Sequence, residues 1–188
     1  MNTVRIIGGE WRRRLLHFPD SEGLRPTPDR VRETLFNWLG QDLSGLTCLD
    51  LFAGSGALGF EAASRGAERV VLVEKAPRVL AALQENARTL GATTGRLEIR
   101  QSDAVQYAAS ATERFDLVFL DPPFRQGWLD KLAPLLDKVL QPDAAMYVEA
   151  EFELKDDAIL FPGWRTVRHG KAGEVYFHLM QQEENHAK

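Results

Sequence analysis

Short apolar runs and amphipathic stretches alternate along most of this 188-residue chain. Runs of five or six apolar residues predict buried strands, whereas apolar positions that recur every three or four residues predict helices. The predicted strands are 47–52, 69–74, 96–101, 115–120 and 145–150, with short closing strands at 158–161, 166–168 and 174–180. The predicted helices are 57–65, 77–90, 104–110 and 128–140. This order predicts an α/β fold with a doubly wound, mostly parallel seven-stranded sheet and helices on both faces.

Two further signals refine this pattern near the end of the chain. Pro134 predicts a kink or a late start in the helix over 128–140, because proline lacks the N–H that a helix interior needs. Gly170 and Gly173 predict a hairpin between the last two strands.

The first 40 residues do not follow this alternation. Residues 4–18 predict a β-hairpin whose return strand begins at Trp11. After a loop, Thr27 is predicted to cap a helix that begins at Pro28. The sequence therefore predicts a small N-terminal β-hairpin and helix extension over 1–40, a main domain over 41–181 and a polar tail over 182–188.

Composition narrows the class of protein. The 44% hydrophobic and 27% charged residues are ordinary for a soluble globular protein, and no apolar run approaches the roughly 18 residues that a membrane span needs. Cys48 is the only cysteine, which predicts no internal disulfide and a reducing, cytoplasmic location. We expect a monomer, and no metal is predicted because the histidines lack metal-site spacing: His17, His169, His178 and His186.

Charge is distributed unevenly around the net value of −4. Residues 1–32 carry seven arginines, no lysine and four acidic residues, whereas the remainder carries 16 basic and 23 acidic residues. The guanidinium group binds phosphate through two parallel hydrogen bonds, so an arginine-rich segment on an acidic body suggests contact with nucleic acid. A solvated surface segment is the alternative.

The stretch 48–59 predicts a buried strand, a glycine turn and the start of a helix, which in an open α/β sheet is the expected seat of a nucleotide-like ligand. Gly54, Gly56 and Gly59 have the spacing of a dinucleotide fingerprint, and Glu74 follows about 20 residues later, where it would bind a ribose hydroxyl. An NAD-type site is therefore one interpretation. Asp50 argues against it, because its carboxylate would repel a pyrophosphate and attract the ammonium and sulfonium of S-adenosylmethionine.

Asp121-Pro122-Pro123-Phe124 directly follows the predicted strand 115–120, at the ligand side of the sheet. Two prolines fix the backbone and leave carbonyls as acceptors, while the acid and the aromatic ring flank them. This combination fits a planar base that carries an amine. The alternative is a loop whose prolines end the strand and whose phenylalanine belongs to the core.

These motifs resemble those of methyltransferases that act on exocyclic amines of bases. The resemblance is closer to one family, the bacterial 16S ribosomal RNA guanine-N2 methyltransferases of the RsmD type, and it covers nearly the whole chain. The stretches that carry it are 5–9, 24–36, 50–59 and 121–124, of which 24–36 is the most specific. One position departs from the family pattern, since Arg13 stands where the family has glycine between two arginines.

The resemblance implies a class I fold and transfer of a methyl group from S-adenosyl-L-methionine to N2 of a guanine in 16S rRNA, within a small-subunit particle. It implies the catalytic residues Asp121, Pro122, Pro123 and Phe124. The implied cofactor-binding residues are Asp50, Phe52, Ala53, Gly54, Gly56, Glu74, Asp103 and Ala104, although Asp103 is also typical of a helix N-cap. The implied RNA contacts are Arg5, Arg12, Arg13, Arg14, Arg25, Arg30 and Arg32.

Three rival functions remain open at this point. An N6-adenine DNA methyltransferase shares the Asp-Pro-Pro-aromatic motif, but no segment of this chain is long enough for a separate target-recognition domain. A non-catalytic RNA-binding assembly factor would keep the fold and transfer no methyl group. An NAD-binding oxidoreductase would need hydride-handling residues, which the sequence does not suggest.

Overall fold

A twisted sheet with helices on both faces forms the body of the protein in the computed structural model, which describes residues 1–155 and 160–184. The strands are β1 (Asn2–Arg5), β2 (Leu15–Phe18), β3 (Thr47–Asp50), β4 (Arg69–Glu74), β5 (Leu97–Gln101), β6 (Phe115–Leu120), β7 (Leu140–Ala150), β8 (Trp164–Ala172) and β9 (Val175–Gln182). The helices are α1 (Asp29–Trp38), α2 (Ala57–Ser64), α3 (Pro77–Leu90), α4 (Ala104–Ser110) and α5 (Trp128–Leu132), followed by a 3₁₀ helix over Ala133–Lys138.

The main sheet has seven strands in the order β5-β4-β3-β6-β7-β9-β8. Strands β3 to β7 pair in parallel, and β9 runs antiparallel to both of its neighbours. The predicted doubly wound, mostly parallel seven-stranded sheet is confirmed. Because the order reverses beside β3, the carboxyl ends of β3 and β6 flank the crevice where ligands bind in open α/β sheets.

Alternating side chains of the central strands supply two separate cores. Cys48, Leu117, Phe119 and Tyr147 point to the face that is covered by the N-terminal hairpin, α1 and α2. The residues that alternate with them along each strand point to the other face, against α4, α5 and the 3₁₀ helix. Burial on both faces explains why these strands read as continuous apolar runs.

The N-terminal hairpin lies against α3 as well as α2. β1 and β2 form a separate two-stranded sheet, in which Thr3 faces His17. On the outer edge of β2, the buried Asn86 of α3 accepts a hydrogen bond from the His17 N–H at 3.1 Å and donates one to the His17 carbonyl at 2.9 Å. One amide side chain therefore satisfies both backbone groups of this strand residue.

The return strand of the hairpin begins at Leu15, so the prediction that it begins at Trp11 is wrong. Residues 6–14 instead form a loop, closed by hydrogen bonds of 2.9 Å from the Ile6 N–H to the Arg14 carbonyl and from the Arg13 N–H to the Ile6 carbonyl. Arg13 has a φ of +70°, in the left-handed region that glycine adopts without strain. This backbone requirement accounts for the glycine expected at position 13.

Other predicted boundaries shift because of proline and of tertiary pairing. Pro134 ends regular α-helix at Leu132, and β7 begins at Leu140, where a helix was predicted. β8 and β9 are longer than predicted, and the hairpin turns at Gly173 alone, since Gly170 lies within β8 opposite Phe177. Leu160 and Phe161 lie in a turn rather than in a strand, and Ala158 and Ile159 lie outside the described residues. β9 extends to Gln182, and residues 185–188 of the predicted tail, including His186, also lie outside.

Within the described residues, no helix is long and apolar enough to cross a membrane.

Candidate active site

Four acidic residues meet where parallel strands end. Asp50 is the last residue of β3, Glu74 the last of β4, Asp121 directly follows β6, and Glu149 is the penultimate residue of β7. Because these strands are parallel and adjacent, their carboxyl ends share one edge of the sheet. We call Asp50, Glu74, Asp121 and Glu149 the acidic edge.

The glycine turn between β3 and α2 forms the floor of this edge. Gly54 and Gly56 have φ values of +53° and +83°, and the Gly56 N–H donates to the Ala53 carbonyl at 2.7 Å. Side chains at these two positions would strain the backbone, which explains the glycines. The Phe52 ring packs edge-on against the Trp128 ring, with 5.5 Å between their centroids, and this contact helps to fix the turn.

Glu74 is held beside the glycine turn by two backbone groups. Its Oε2 accepts from the Gly54 N–H at 3.0 Å, and its Oε1 accepts from the Ala76 N–H at 3.0 Å. The structure thus brings Glu74 to the turn, although sequence separates the two by 20 residues. The remaining lone pairs of the carboxylate stay free to accept hydrogen bonds from hydroxyl groups of a ligand.

Asp103 caps α4. Its Oδ1 accepts hydrogen bonds from the N–H groups of Val105 at 2.8 Å and Gln106 at 3.2 Å. The N-cap interpretation of Asp103 is therefore observed, and a cofactor contact would have to use the other carboxylate oxygen. Ala104, its predicted companion, is buried.

Asp50 is buried, with 1% of its surface exposed, and its Oδ1 accepts a weak hydrogen bond from the Phe52 N–H at 3.2 Å. Burial, helped by the negative charges of Glu74 and Glu149, raises the pKa of Asp50 to about 7. In the described part of the chain no arginine or lysine forms an ion pair with any residue of the acidic edge. Such a site fits a positively charged ligand.

Asp121 begins the Asp-Pro-Pro-Phe loop and is half-buried. Burial and the adjacent Glu149 carboxyl raise the pKa of Asp121 well above its usual range, and Asp50 adds to this effect. Pro122 is buried, while Pro123 and Phe124 are half-buried. Phe124 lines an open cleft of about 310 Å³ whose other wall comes from the β8–β9 hairpin and neighbouring residues: Arg125, Glu151, Lys171, Glu174 and Tyr176.

Two residues beside Asp121, Thr27 and Glu149, were not among the predicted site residues, although Thr27 lies within the stretch 24–36. Thr27 Oγ1 lies 3.3 Å from Asp121 Oδ2, and 3.0 Å from Glu149 Oε1. The prediction that Thr27 caps α1 is therefore wrong. Pro28 directly precedes the helix, and the Thr27 hydroxyl turns to the acidic edge. The sequence did contain a signal for Glu149, because an acidic residue near the end of the predicted apolar strand 145–150 indicates a place at the ligand side of the sheet.

The predicted RNA-contacting arginines separate into two exposed groups and one buried residue. Arg25 and Arg30 flank Thr27, near the acidic edge, and both are exposed. The exposed residues Arg5, Arg12, Arg13 and Arg14 lie in or beside the 6–14 loop, which hydrogen bonds to Ser64 at the far end of α2. The eight residues of α2 separate these two positions by roughly 12 Å along its axis.

Arg32 was predicted to contact RNA, and this prediction is wrong. Its side chain is fully buried, and it donates to the Arg5 carbonyl at 2.8 Å and the Thr27 carbonyl at 3.1 Å. It also pairs with Glu61 at 3.3 Å and with Asp29. Arg32, in the first turn of α1 and within the most specific stretch 24–36, therefore holds the N-terminal segment together.

A groove of about 750 Å³ lies between the 6–14 loop and the carboxyl-terminal ends of α1 and α2. Arg12 is the only predicted site residue among those that line it. Because α2 starts at the glycine turn and ends at this groove, the groove lies at the opposite end of the helix from the acidic edge.

The strand order, the reversed β9 and the glycine turn beside an acidic strand end define the class I methyltransferase fold. The chain belongs to the family described as Conserved hypothetical protein 95, whose sequence model matches residues 4–181. It is 45% identical over 182 residues to Ribosomal RNA small subunit methyltransferase D of Escherichia coli strain K12, covering 96% of this chain and 90% of that protein. The recognised family resemblance is thereby confirmed.

Solved structures agree with this assignment. The Escherichia coli yhhF protein superposes with a TM-score of 0.84 and 42% identity, covering 98% of this chain and all of that one. An RNA methyltransferase from Salinibacter ruber, solved in complex with S-adenosyl-L-homocysteine, superposes with a TM-score of 0.62 at 22% identity, covering 87% and 98%. At that identity the second comparison supports the fold alone.

Proposed function

We propose that this protein transfers the methyl group of S-adenosyl-L-methionine to the exocyclic N2 of a guanine in 16S rRNA. The observation that carries the proposal is the acidic edge, where buried carboxylates that pair with no arginine or lysine of residues 1–155 and 160–184 adjoin the Asp-Pro-Pro-Phe loop. The 45% identity to a small-subunit rRNA methyltransferase supports the choice of substrate.

The residues around the glycine turn fit the proposed cofactor. When bound, S-adenosyl-L-methionine supplies a methyl group that its sulfonium charge has already activated. Asp50 offers the negative charge that a sulfonium and an ammonium require. The backbone of Ala53, Gly54 and Gly56, beside Phe52, would receive the methionine part, and Glu74 would accept from the ribose hydroxyls. Asp103 and Ala104 would meet the adenine.

Asp121 and the Pro122 carbonyl act on the amine of the base. As acceptors of its two hydrogens they orient the nitrogen lone pair, which is otherwise delocalised into the ring. Negative charge at Asp121 also stabilises the positive charge that develops on this nitrogen, an effect often worth about 10²–10³ in rate. Formation of the N–C bond would accompany cleavage of the S–C bond and release S-adenosyl-L-homocysteine, and the amine, now acidic, would lose its proton to water.

The Asp-Pro-Pro-Phe loop also provides a place for an extracted base. Pro122 and Pro123 fix its backbone, and Phe124 would stack on the base, typically with about 1–3 kcal/mol per base. Base extraction costs a few kcal/mol of unstacking. The stacking energy of Phe124 therefore offsets much of this cost.

We further propose that residues 1–40 hold the RNA and that residues 41–181 hold the cofactor and catalyse transfer. The exposed arginines of the first region would contact phosphates: Arg5, Arg12, Arg13, Arg14, Arg25 and Arg30. We also propose that the reaction takes place in the cytoplasm, within a small-subunit particle, and that the protein acts there as a monomer.

The proposal is tested by a transfer assay with tritiated S-adenosyl-L-methionine. Small-subunit particles that lack the modification, free ribosomal RNA and duplex DNA are offered in parallel, followed by nucleoside analysis. N2-methylguanosine in the RNA is the expected product. N6-methyladenine in the DNA would instead indicate the DNA methyltransferase, and RNA binding with no transfer would indicate an assembly factor.

Replacing Asp121 tests the catalytic role. We expect Asp121→Ala to lower turnover by at least about 10²-fold, because the amine loses its acceptor and the charge beside it. Cofactor affinity, measured by calorimetry, should stay close to that of the wild type. Asp130→Ala, which removes an exposed acid of α5, is the control and should turn over normally. Normal turnover by Asp121→Ala would remove Asp121 from the mechanism.

Replacing two loop arginines tests the RNA surface. We expect Arg12→Ala combined with Arg14→Ala to weaken RNA binding and to reduce the slope of log affinity against log salt, by about 0.7 for each lost phosphate contact with a single strand. Affinity for S-adenosyl-L-methionine should not change. Arg88→Ala, an exposed arginine of α3, serves as the control. Salt slopes that are equal in the double variant and the wild type contradict this surface.

A further inference from the structure

Three side chains from outside the glycine turn and the Asp-Pro-Pro-Phe loop form a connected group behind Asp121. Thr27 is 4% exposed and Glu149 is 6% exposed, and the Thr27 hydroxyl oxygen lies within hydrogen-bond distance of both Glu149 Oε1 and Asp121 Oδ2. A hydroxyl carries one proton, so it donates to one carboxyl at a time and can accept from the other when that carboxyl is protonated. Thr27 thus bridges the two carboxyls.

Glu149 is fixed from the opposite side by Tyr147. The Tyr147 hydroxyl donates to Glu149 Oε1 at 2.6 Å, and both residues lie on the same face of β7 because they are two positions apart. The fully buried Tyr147 ring packs edge-on against Phe119 at 6.3 Å. Glu149 Oε1 therefore lies against two hydroxyl groups, whose own positions are set by the sheet and by the segment before α1.

A buried carboxyl without a cationic partner is costly, and it is retained where it has a use. Glu149 forms no ion pair with a described residue and caps no helix among the described elements. Besides Tyr147, Glu149 contacts Thr27, and through Thr27 it is connected to Asp121. The arrangement therefore serves the residue that the proposed function places against the target amine.

Resting on that proposed function, we propose that Thr27 and Glu149 are positioning residues for methyl transfer. They hold the Oδ2 side of Asp121, so that Oδ1 meets the amine of the base. Asp121 follows a strand and precedes two prolines, so its backbone is already fixed, and the bridge fixes the remaining rotation of its carboxyl. Thr27 and Glu149 act through Asp121 and touch neither the base nor the cofactor.

The bridge also links RNA contact to alignment of the acid. Thr27 lies between the exposed Arg25 and Arg30, and its carbonyl is held by the buried Arg32. A shift of this segment moves the Thr27 hydroxyl relative to Asp121. RNA binding at Arg25 and Arg30 would then change the rate of methyl transfer as well as the affinity for RNA.

The charged and hydroxyl groups that face Asp121 are Asp50 of β3, Glu149 and Tyr147 of β7, and Thr27. Glu149 raises the pKa of Asp121, whereas the Thr27 hydrogen bond lowers it. As an acceptor, Asp121 works best when ionised, so activity falls as the pH drops through its pKa. Removing the Glu149 charge should move this acidic limb to lower pH, and removing the Thr27 hydroxyl should move it to higher pH.

The test measures kcat and KM for RNA across pH in three variants. Thr27→Val should lower kcat by about 10-fold, the loss expected for one hydrogen bond in a buried network, with KM changed little. Thr27→Ser restores the hydroxyl and should restore most of kcat. Glu149→Gln keeps the shape and the hydrogen bonds, and it should shift the acidic limb in the direction opposite to that of Thr27→Val.

Each outcome of this experiment decides a separate point. Opposite shifts of the acidic limb together with rescue by Thr27→Ser support the positioning role. Unchanged kcat and pH profiles in Thr27→Val and Glu149→Gln, with an active wild type, overturn the positioning role and leave the proposed function intact. Absence of methyl transfer by the wild-type protein overturns the proposed function, and the positioning role with it. Thermal unfolding of each variant identifies any loss of folded protein.

Discussion

Among the described residues, buried carboxylates lie in two places, and arginine side chains compensate their charge in only one of them. Glu61 of α2 is fully buried, and it pairs with Arg32 at 3.3 Å and with Arg65 at 2.9 Å. It also accepts from the N–H groups of Ile7 at 2.9 Å and Gly8 at 2.8 Å. At the acidic edge, by contrast, Asp50 and Glu149 are as deeply buried, but no ion pair with a described residue compensates them.

The presence or absence of arginine partners distinguishes a buried acid that stabilises the fold from buried acids that can bind a ligand. A buried acid with two arginines and two backbone donors has every lone pair used, and its role is to tie the N-terminal loop to α2. At the acidic edge, where no described cation pairs with the acids, burial raises the pKa values of Asp50 and Asp121, which leaves a demand for positive charge. A cationic cofactor would meet that demand, whereas the Glu61 cluster has no such demand.

Breaking the compensated cluster should have the largest effect on folding. We expect Glu61→Ala to lower the free energy of unfolding by about 3–5 kcal/mol, because Arg32 would stay buried without its carboxylate. Chemical denaturation of the unliganded protein measures this loss. Glu85→Ala is the matched control, since Glu85 pairs with Arg88 on an exposed helix face and should change the free energy of unfolding far less than Glu61→Ala does. Equal losses in the two variants contradict the comparison.

Neutralising Asp50, an uncompensated acid, should instead raise the free energy of unfolding. The raised pKa of Asp50, about 7, means that the folded protein holds a proton that the unfolded chain releases. Its stability contribution is complete below the unfolded pKa and is lost as the pH rises through about 7. We therefore expect Asp50→Asn to stabilise the unliganded protein at about pH 8 by about 2–4 kcal/mol, and by much less at about pH 4.

The same variant should lose cofactor affinity. Without the Asp50 charge we expect binding of S-adenosyl-L-methionine, measured by calorimetry, to weaken at least about 10-fold. Asp130→Asn controls for the loss of a negative charge at an exposed site. A stability gain that does not change with pH would show that repacking, rather than the charge of Asp50, causes it.

The smallest expected effect concerns the loop that Glu61 holds. Arg13 adopts a φ of +70°, which costs an L-residue roughly 1–2 kcal/mol. We expect Arg13→Gly to raise the free energy of unfolding by about 0.5–1 kcal/mol, because relief of this strain exceeds the added entropy of glycine in the unfolded chain. Arg12→Gly, at a neighbouring residue whose φ is not positive, should destabilise the protein instead. A loss of stability in both variants would contradict the role of strain.

Local sequence signals predicted the main domain well. β4, α3, α4 and β6 have the predicted bounds, because valine-rich runs, a proline at a first helical position and a glycine after a last one act within a few residues. The end of β4 at Glu74 and the end of β6 directly before Asp121 followed from the same signals, whereas β3 ends at Asp50 and not at Phe52 as predicted. The fold class needed only the order of these elements.

Tertiary contacts decided what the sequence could not predict. Thr27 has the residue type of an N-cap, yet its hydroxyl turns to carboxyls 94 and 122 positions away. Arg32 belongs to an arginine-rich segment, but a buried glutamate of α2 draws it inward. β7 begins earlier than its apolar pattern because pairing with β6 extends to Leu140. In each case a distant partner overrides the local preference.

The amide of Asn86 has a consequence for the solubility of the hairpin. A two-stranded sheet offers free N–H and C=O groups along its edges, and such groups recruit strands from other molecules. By bonding both groups of His17, Asn86 acts as a one-residue third strand at the middle of that edge. Without Asn86 these two backbone groups would be free to pair with a strand of another molecule, so the Asn86 amide blocks this route to self-association at His17.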